Sequence, residues 1–498
     1  MTAKLSTQEL LSLTPARARS IAHQDESFVV WALLKLSALA REAHGSGAGA
    51  DEAPPDGASV PDLSTPSGMI APYLKPVGKT RKAKPGRKPG HKGARRPAPL
   101  EVDRRQTHTL QRCPDCGGPV SPPSPTPRRR IVEDIEVSRP VVTEHTIHSH
   151  WCPSCKKRVE PVVTEALPKS TIGNRTVALT SWLHYGLGNT VSQVATVLGS
   201  VFHFPVSEGG LVQMWRRLAD VLLPWYDEIA GQAKDSAVLH ADETGWRVNG
   251  KTHWLWCFSQ PNLTYYLIDE SRGSKVLLEF FGETFAGTLV SDFLGVYNCL
   301  LARRRQVCLT HLLRELKKVS LQDYSDEWVF FAESLKRLLR DALRLARRAD
   351  REATDFASKR ARIHKRVDEL CDGIYLNPNA ARIVKRLVSY RQALFSFLDD
   401  FSVPPDNNRA EREIRPAVIA RKNSYHNMSD AGARAQAILM TVYRTLKLRG
   451  HDPVETLADA LAIAIAGGKL PALPKAREHS AGLSPPASQS ARPHPRDG

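Results

Sequence analysis

Residues 236–293 read SAVLHADETGWRVNGKTHWLWCFSQPNLTYYLIDESRGSKVLLEFFGETFAGTLVSDF, and they show the clearest alternation of strand and helix patterns in the chain. It contains three short runs rich in β-branched and aromatic residues: SAVLHADE, THWLWCFS and LTYYLID. A helical run, RGSKVLLEFFG, and another apolar run, GTLVSDF, follow. Apolar, β-branched runs bounded by turn residues predict strands. Three strands in quick succession, then a helix and a strand, indicate an α/β domain with a mixed sheet.

Helical patterns flank this stretch on both sides. Residues 174–222 predict three short helices separated by turns, which is typical of a helix-turn-helix unit, with Arg216 and Arg217 as DNA contacts. Any small helical bundle gives the same pattern, so both interpretations stay open. Residues 325–400 are almost wholly helical and predict an insertion ahead of a further helix that starts near Asn408.

Net charge is concentrated in one segment. The 498 residues include 70 Lys and Arg against 52 Asp and Glu, a surplus of +18, and ten of the basic residues lie in residues 75–96, which contain no acid. Such a segment lacks the apolar side chains to pack a core and predicts an extended arm attracted to nucleic acid. The arm residues predicted to contact DNA are Arg81, Lys82, Arg87, Lys88, Lys92, Arg95 and Arg96.

Two C-x-x-C pairs predict a metal site. They are CPDC and CPSC, formed by Cys113, Cys116, Cys152 and Cys155. Paired knuckles of this kind are typical of a tetrahedral structural Zn²⁺ site, with redox use or coincidence as the alternatives. The gap between them is longer than usual, and residues 129–151 predict strands that fill it. A closed four-thiolate site leaves no vacancy for the histidines just before the second pair, which we expect to be ordinary strand-face or DNA-proximal residues: His145, His148 and His150.

Three carboxylates are candidates for catalysis. Asp242 and Asp292 each stand where an apolar strand ends, and singly each is more often a turn or helix cap. Glu411 follows Asn408 by three residues, as a capping-box partner does. Together, however, three carboxylates at one locus hold two divalent cations about 4 Å apart, the arrangement that attacks phosphodiester bonds. Mg²⁺, or Mn²⁺, suits such oxygen ligands. The cations nearby predict contact with a phosphate backbone: Arg412, Arg415, Arg421 and Lys422.

The two ends of the chain carry less information. Residues 26–43 follow helical spacing, whereas residues 44–80 and the tail from Leu470 are rich in proline and small residues. The first thirty residues show no signal-peptide pattern, and no apolar run is long enough to span a bilayer. We therefore expect a cytosolic protein with no membrane partner.

At these residues the sequence resembles the large transposase of the insertion sequence 66 group. The similar strings are ADETGWRVNGKTHWLWCF (241–258), SDFLGVY (291–297), CLTHLLREL (308–316), DNNRAEREIRPAVIARKN (406–423), the GRKPGHKG segment, the two CPxC knuckles and GHDPVETLADAL. The resemblance covers roughly residues 75–465. It implies an RNase H-like core whose catalytic DDE triad falls on Asp242, Asp292 and Glu411 and binds Mg²⁺ or Mn²⁺. It also implies binding of the element's terminal repeats and joining of the cut ends to target DNA.

The resemblance also implies a multidomain α/β organisation. The expected parts are a helical segment (1–43), a linker with the basic arm (44–100), a zinc ribbon (101–168), a helix-turn-helix-like unit (169–230), the RNase H-like core (231–445) with its insertion at about 320–400, a C-terminal helical motif (446–468) and a disordered tail (469–498). Further expectations are a homo-oligomer on DNA, small accessory proteins as partners, and a bacterial cytoplasmic location on the nucleoid.

Several alternatives stay open from sequence. A non-catalytic zinc-ribbon regulator from a decayed element, or a nuclease of the same fold, would share these motifs. Glu243 and Glu413 flank the assigned acids and compete as ligands. The family's more basic C-x-x-H-x-x-R-R pattern keeps Cys308, His311 and Arg314 but has Glu315 in place of the second Arg, which puts a DNA contact there in question.

Overall fold

The computed structural model describes residues 101–477, except 124, 127, 134–138, 349–353 and 425. The predicted helix at 26–43, the basic arm with its seven assigned residues, and the tail beyond residue 477 lie outside the described residues.

The first described region carries the two cysteine pairs. Strands β1 (His150–Cys152) and β2 (Lys157–Val159) form an antiparallel hairpin around the second pair. Apart from the start of β1, the described residues of 129–151 form no strand, so the longer strands predicted there are wrong. Val141 and Val142 are both 92% exposed. β-Branched residues favour strands where they pack on a pleated surface, and no such surface covers these two.

Three helices precede the main sheet, as predicted. They are α1 (Asn174–Ser181), extended by one π-helical turn (Trp182–Gly186), α2 (Val191–Val201) and α3 (Glu208–Lys234). Helix α3 is longer than expected. Its buried side chains recur every three or four residues, including Leu211, Trp215, Leu218, Leu222 and Ile229, and they join the same hydrophobic core as the sheet.

The main sheet has five strands: β3 (Val238–Val248), β4 (Lys251–Gln260), β5 (Leu263–Asp269), β6 (Thr284–Ser291) and β7 (Leu301–Val307). Their order is β5-β4-β3-β6-β7. Strands β3, β4 and β5 pair antiparallel, whereas β6 runs parallel to β3 and β7 parallel to β6. The mixed α/β class predicted from sequence is confirmed, and β7 is an additional strand.

Eight further helices complete the described part of the chain. Helix α4 (Ser274–Phe281) connects β5 to β6; α5 (Leu309–Val319) follows β7; α6 (Asp326–Ala346), α7 (Thr354–Cys371) and α8 (Pro378–Ser389) form the predicted helical insertion; α9 (Asn408–Ser424), α10 (Asp430–Leu448) and α11 (Pro453–Gly467) return to the core. Helix α9 packs on β3 and β4, and α10 packs on β5 and α3. Among the described residues, no helix is long and apolar enough to cross a membrane.

Candidate active site

The two aspartates lie side by side at one edge of the sheet. Strands β3 and β6 pair in parallel with Val238 opposite Thr288 and His240 opposite Val290. Continuing this register by two residues places Asp242 opposite Asp292. Neighbouring strands are about 4.8 Å apart, so the two carboxylates leave adjacent strands toward the same face of the sheet.

The third parallel strand ends at the same level. Strand β7 pairs with β6 so that Ser291 lies opposite Val307. The next residue, Cys308, donates its backbone N–H to the Ser291 carbonyl at 2.9 Å. Asp242 within β3, Asp292 directly after β6 and Cys308 directly after β7 therefore form a row level with the carboxyl ends of β6 and β7, the edge at which α/β sheets build their sites. Strand β3 continues past this row to Val248, so the expectation that a strand ends at Asp242 is wrong.

Asn407, directly before α9, fixes that helix above the row. Its side-chain amide donates to the Ala241 carbonyl at 2.8 Å, its Oδ1 lies 3.0 Å from His240 Nδ1, and its backbone N–H donates to Cys308 Sγ at 3.2 Å. Burial lowers the pKa of His240 to about 4, so the ring is neutral and donates from Nδ1 to Asn407. Asn407 is 1% exposed, and it ties the start of α9 to β3 and β7 at once.

Glu411 lies in the first turn of α9, and its backbone N–H donates to the Asn407 carbonyl at 3.1 Å. The helix begins at Asn408, so Asn408 is not the cap, and the capping-box interpretation of Glu411 is wrong. The Glu411 carboxylate instead accepts two hydrogen bonds from Arg314, at 3.3 and 3.4 Å, and lies 3.7 Å from His311 Nδ1.

Because its carboxylate contacts Arg314 and His311, Glu411 lies close to α5 and does not contact both aspartates. Among the described residues, Cys308, His311 and Glu411 are the one group of three whose potential ligand atoms all lie within 4.8 Å of one another. Asp242, Asp292 and Glu411 do not form such a group. As placed, the Glu411 carboxylate lies with Cys308 and His311 rather than with the two aspartates.

Asp242 is a buried carboxylate surrounded by other carboxylates. Its pKa is raised well above its usual range, first by burial and then by the negative charges of Glu243, Asp292 and Glu411. The N–H of Glu243 opposes this shift by donating to Asp242 Oδ1 at 3.0 Å. A cluster of carboxylate oxygens fits a divalent cation such as Mg²⁺ or Mn²⁺, which would favour the ionised form of Asp242.

Asp292 has a mixed environment. Burial and the charge of Glu243 raise its pKa to about 6, whereas the N–H of Leu294 and the cations Arg272 and Arg386 oppose the rise. The Leu294 N–H donates to Asp292 Oδ1 at 2.9 Å. The turn-capping role expected of a single aspartate is therefore present, together with the neighbouring acids.

Glu243 and Glu413, the competing acids, are both engaged elsewhere. The Glu243 side chain is 3% exposed and accepts a 2.7 Å bond from Arg272 Nη2 and a 2.7 Å bond from the Tyr297 hydroxyl. Glu413 is buried and pairs with Arg444. Glu243 thus connects β3 to the segment after Asp292, and Glu413 is neutralised in the core.

The predicted cations on α9 divide into two kinds. Arg412, Arg415 and Lys422 are exposed. Arg421 instead donates from Nη1 to Thr244 Oγ1 at 3.0 Å and to the Gly245 carbonyl, so it pins α9 to β3.

The two arginines of α3 also make contacts within the chain. Arg216 donates to Ser429 Oγ at 2.9 Å, and Arg217 donates to the Pro168 carbonyl. Both lie on the helix whose other face is in the shared core. Their role in DNA binding stays a prediction.

The cysteine pairs each form a tight turn. In the first, the Cys113 N–H donates to the Gly118 carbonyl at 2.9 Å, and Gly117 adopts a φ of +73°. In the second, the Cys155 N–H donates to Cys152 Sγ at 3.4 Å. The pKa of the first thiol in each pair is lowered, mainly by a backbone N–H of the turn. The N–H of Cys116 acts on Cys113, and the N–H of Cys155 acts on Cys152.

Lowered thiol pKa values favour the thiolates that Zn²⁺ requires. The four thiols are nevertheless not among the described groups whose ligand atoms converge within 4.8 Å, so the zinc site stays a prediction. Of the neighbouring histidines, His145 lies 3.1 Å from a carboxylate oxygen of Glu165.

Sequence reasoning missed Asn407, Arg272 and Tyr297, which position the acids without being acids themselves. A usable signal existed for one of them. Asn407 stands in the DNN string immediately before a predicted helix, where a side-chain acceptor often satisfies exposed backbone donors. Its real partners lie on β3 and β7, which local sequence does not reveal.

Comparison with known proteins identifies the family. Residues 169–435 match the family model described as "Transposase IS66 family". The uncharacterized protein y4qI of Sinorhizobium fredii (strain NBRC 101917 / NGR234) is 26% identical over 288 residues, 51% of this chain and 53% of that protein. The uncharacterized protein y4jD of the same strain is 23% identical over 288 residues, 52% of this chain and 56% of that protein. The chain thus spans about half the length of these relatives. Because the family match covers more than half of the chain, the protein belongs to the IS66 family of transposases.

Proposed function

We propose that the protein is a DNA transposase that binds the ends of an insertion element, cleaves them and joins them to target DNA. One observation carries the proposal: Asp242 in β3 and Asp292 directly after β6 lie on neighbouring parallel strands, with Glu411 on a helix that Asn407 ties to β3. The strand order β5-β4-β3-β6-β7 supports an RNase H-like core for the domain.

In this proposal Asp242, Asp292 and Glu411 hold Mg²⁺ or Mn²⁺. The cations would supply positive charge at the scissile phosphate and lower the pKa of the attacking hydroxyl. The chain's own contribution is placement. Asn407 sets the height of Glu411 above the sheet, and Glu243 holds the segment after Asp292 through the Tyr297 hydroxyl.

The remaining parts would position DNA. The exposed cations Arg412, Arg415 and Lys422 lie on the helix that carries Glu411 and suit contacts to a phosphate backbone. The zinc ribbon, the basic arm, and Arg216 and Arg217 would add further DNA contacts. Two element ends must be held together, so we expect a homo-oligomer on DNA, small accessory proteins as partners, and association with the bacterial nucleoid.

The test uses the purified protein with Mg²⁺ or Mn²⁺, any accessory proteins encoded beside it, and duplex DNA carrying its own element's ends. We expect cleaved ends and covalently joined products, and we expect Asp292→Asn to abolish both. Absence of all products, or an Asp292→Asn variant with unchanged activity, would contradict the proposal.

Two alternative functions give different products. A nuclease of the same fold would leave cut ends without joining them. A regulator would bind the end DNA and form no cleaved or joined product, so Asp242→Ala would cause no loss of product.

A further inference from the structure

Two arginines of the helical insertion share one carboxylate of the core. Arg382 and Arg386 are one turn apart on α8, and each donates from Nη1 to a different oxygen of Glu315 on α5. The Glu315 side chain is 13% exposed, and those of Arg382 and Arg386 are 36% and 28% exposed. One carboxylate thus orients two guanidinium groups and leaves one positive charge unbalanced.

This pair lies next to the segment that carries Asp292. The Arg386 guanidinium lies over the Phe293 ring, with 5.4 Å between its Cζ atom and the ring centroid. Directly after α8, the Tyr390 hydroxyl donates to the Phe293 carbonyl at 3.0 Å. Arg386 is also one of the cations whose charge acts on Asp292. The end of α8 is therefore placed at the rim of the candidate active site.

Both guanidinium groups keep donors to spare. A guanidinium has five N–H donors in a planar fork that matches a carboxylate or a phosphate. Each of the two groups uses Nη1 for Glu315, and Arg382 Nη2 is buried with no hydrogen-bond partner among the described residues. Arg382 Nη2 is buried as placed, so an external anion meets the exposed parts of the two groups, whose side chains are 36% and 28% exposed. Surplus positive charge and partial exposure together suit an anionic ligand.

We propose that Arg382 and Arg386, oriented by Glu315, bind a phosphate group of the DNA strand at the rim of the carboxylate site. The inference rests on the proposed function in that it takes DNA as the ligand.

The first test measures how DNA affinity depends on salt, with duplex DNA carrying the element end and without divalent cations. Loss of one phosphate contact reduces the slope of log affinity against log salt by about one, and it weakens binding roughly 10-fold near 0.1 M salt. We expect this result for Arg386→Gln. The matched control is Lys385→Gln, which removes one positive charge from an exposed neighbour on α8 and should leave the slope unchanged.

The second test identifies the phosphate. Single phosphates of the DNA strand are replaced, one at a time, by neutral methylphosphonates. The wild type should lose affinity at one position near the cleavage site, and Arg386→Gln should lose nothing further there. Slopes that are equal for the wild type and Arg386→Gln, or additive losses at every position, would overturn the proposal.

A purely structural role is separated by a charge-preserving variant. If Arg386→Gln lowers the midpoint of thermal unfolding, the binding measurements use Arg386→Lys instead. Lysine keeps the positive charge but lacks the planar arrangement of N–H donors. We expect Arg386→Lys to keep the salt slope and to bind more weakly than the wild type. Affinity equal to that of the wild type would overturn the inference. Because binding is measured without cleavage, a wild type that binds with this dependence and forms no product contradicts only the proposed function.

Discussion

Replacing Asp292 by asparagine should stabilise the protein when no metal is present. Burial and the neighbouring Glu243 raise the pKa of Asp292 from 3.8 to about 6. The folded protein therefore penalises the charged form relative to the unfolded chain. A shift of about two units corresponds to about 3 kcal/mol. The amide has no charge to penalise, and its oxygen still accepts the Leu294 N–H.

The sign of this effect depends on pH in a defined way. Above about pH 6 the aspartate is ionised in both states and the full penalty acts on the folded protein. As pH falls from about 6 to about 4, the folded carboxyl takes up its proton first and the penalty disappears. Asp292→Asn should therefore raise the free energy of unfolding by up to about 3 kcal/mol near neutral pH and by little near pH 4.

The assay is thermal or urea unfolding of both proteins at several pH values, with and without Mg²⁺. Binding to the folded state alone stabilises a protein by mass action, so Mg²⁺ should stabilise the wild type and not the variant. Glu279→Gln is the control, because its side chain is 60% exposed and its charge has little effect on stability. A variant less stable than the wild type near neutral pH, or one equally stabilised by Mg²⁺, would refute the reasoning.

Three further predictions concern the supports of the site. Arg444→Met should lower the free energy of unfolding by about 3 kcal/mol, measured with urea, because it leaves the buried Glu413 carboxylate without its partner; a change near zero would contradict this. Asn407→Ala should reduce DNA cleavage and cost about 2 kcal/mol of stability, since it leaves buried partners on β3 unsatisfied, and unchanged cleavage would count against its role. Cys113→Ser together with Cys152→Ser should remove bound zinc measured by atomic emission, whereas zinc retained at the wild-type ratio would exclude these ligands.

The sheet could be predicted from sequence wherever its strands are buried. Strands β3 to β6 contain apolar runs, and all four were found, although β3 extends to Val248, beyond the predicted run SAVLHADE. Strand β7 was missed because LARRRQV carries three consecutive arginines, of which Arg303 and Arg304 are exposed. An edge strand needs only one buried side, and charged residues on its open side protect the edge.

The sequence predicted which residues belong to the candidate site but not how they are arranged in space. The apolar runs before Asp242 and Asp292 marked the two aspartates, although β3 continues past Asp242 to Val248, and the resemblance added Glu411. Their juxtaposition depends on the parallel register of β3 and β6 and on Asn407, whose partners His240 and Cys308 are 167 and 99 residues away in sequence. Contacts at such separations leave no local pattern. The same reason explains why the pairing of Glu411 with Arg314 was not foreseen.

Catalysis by the three acids is tested most directly by asking whether Asp242→Asn can still join element ends to target DNA. The measurement compares covalently joined product from the wild type, from Asp242→Asn and from the Glu279→Gln control, in Mg²⁺, alongside the DNA affinity of each. We expect all three proteins to bind the end DNA, the wild type and the control to join it, and Asp242→Asn to form no joined product. Joining by Asp242→Asn at the wild-type rate would contradict this expectation.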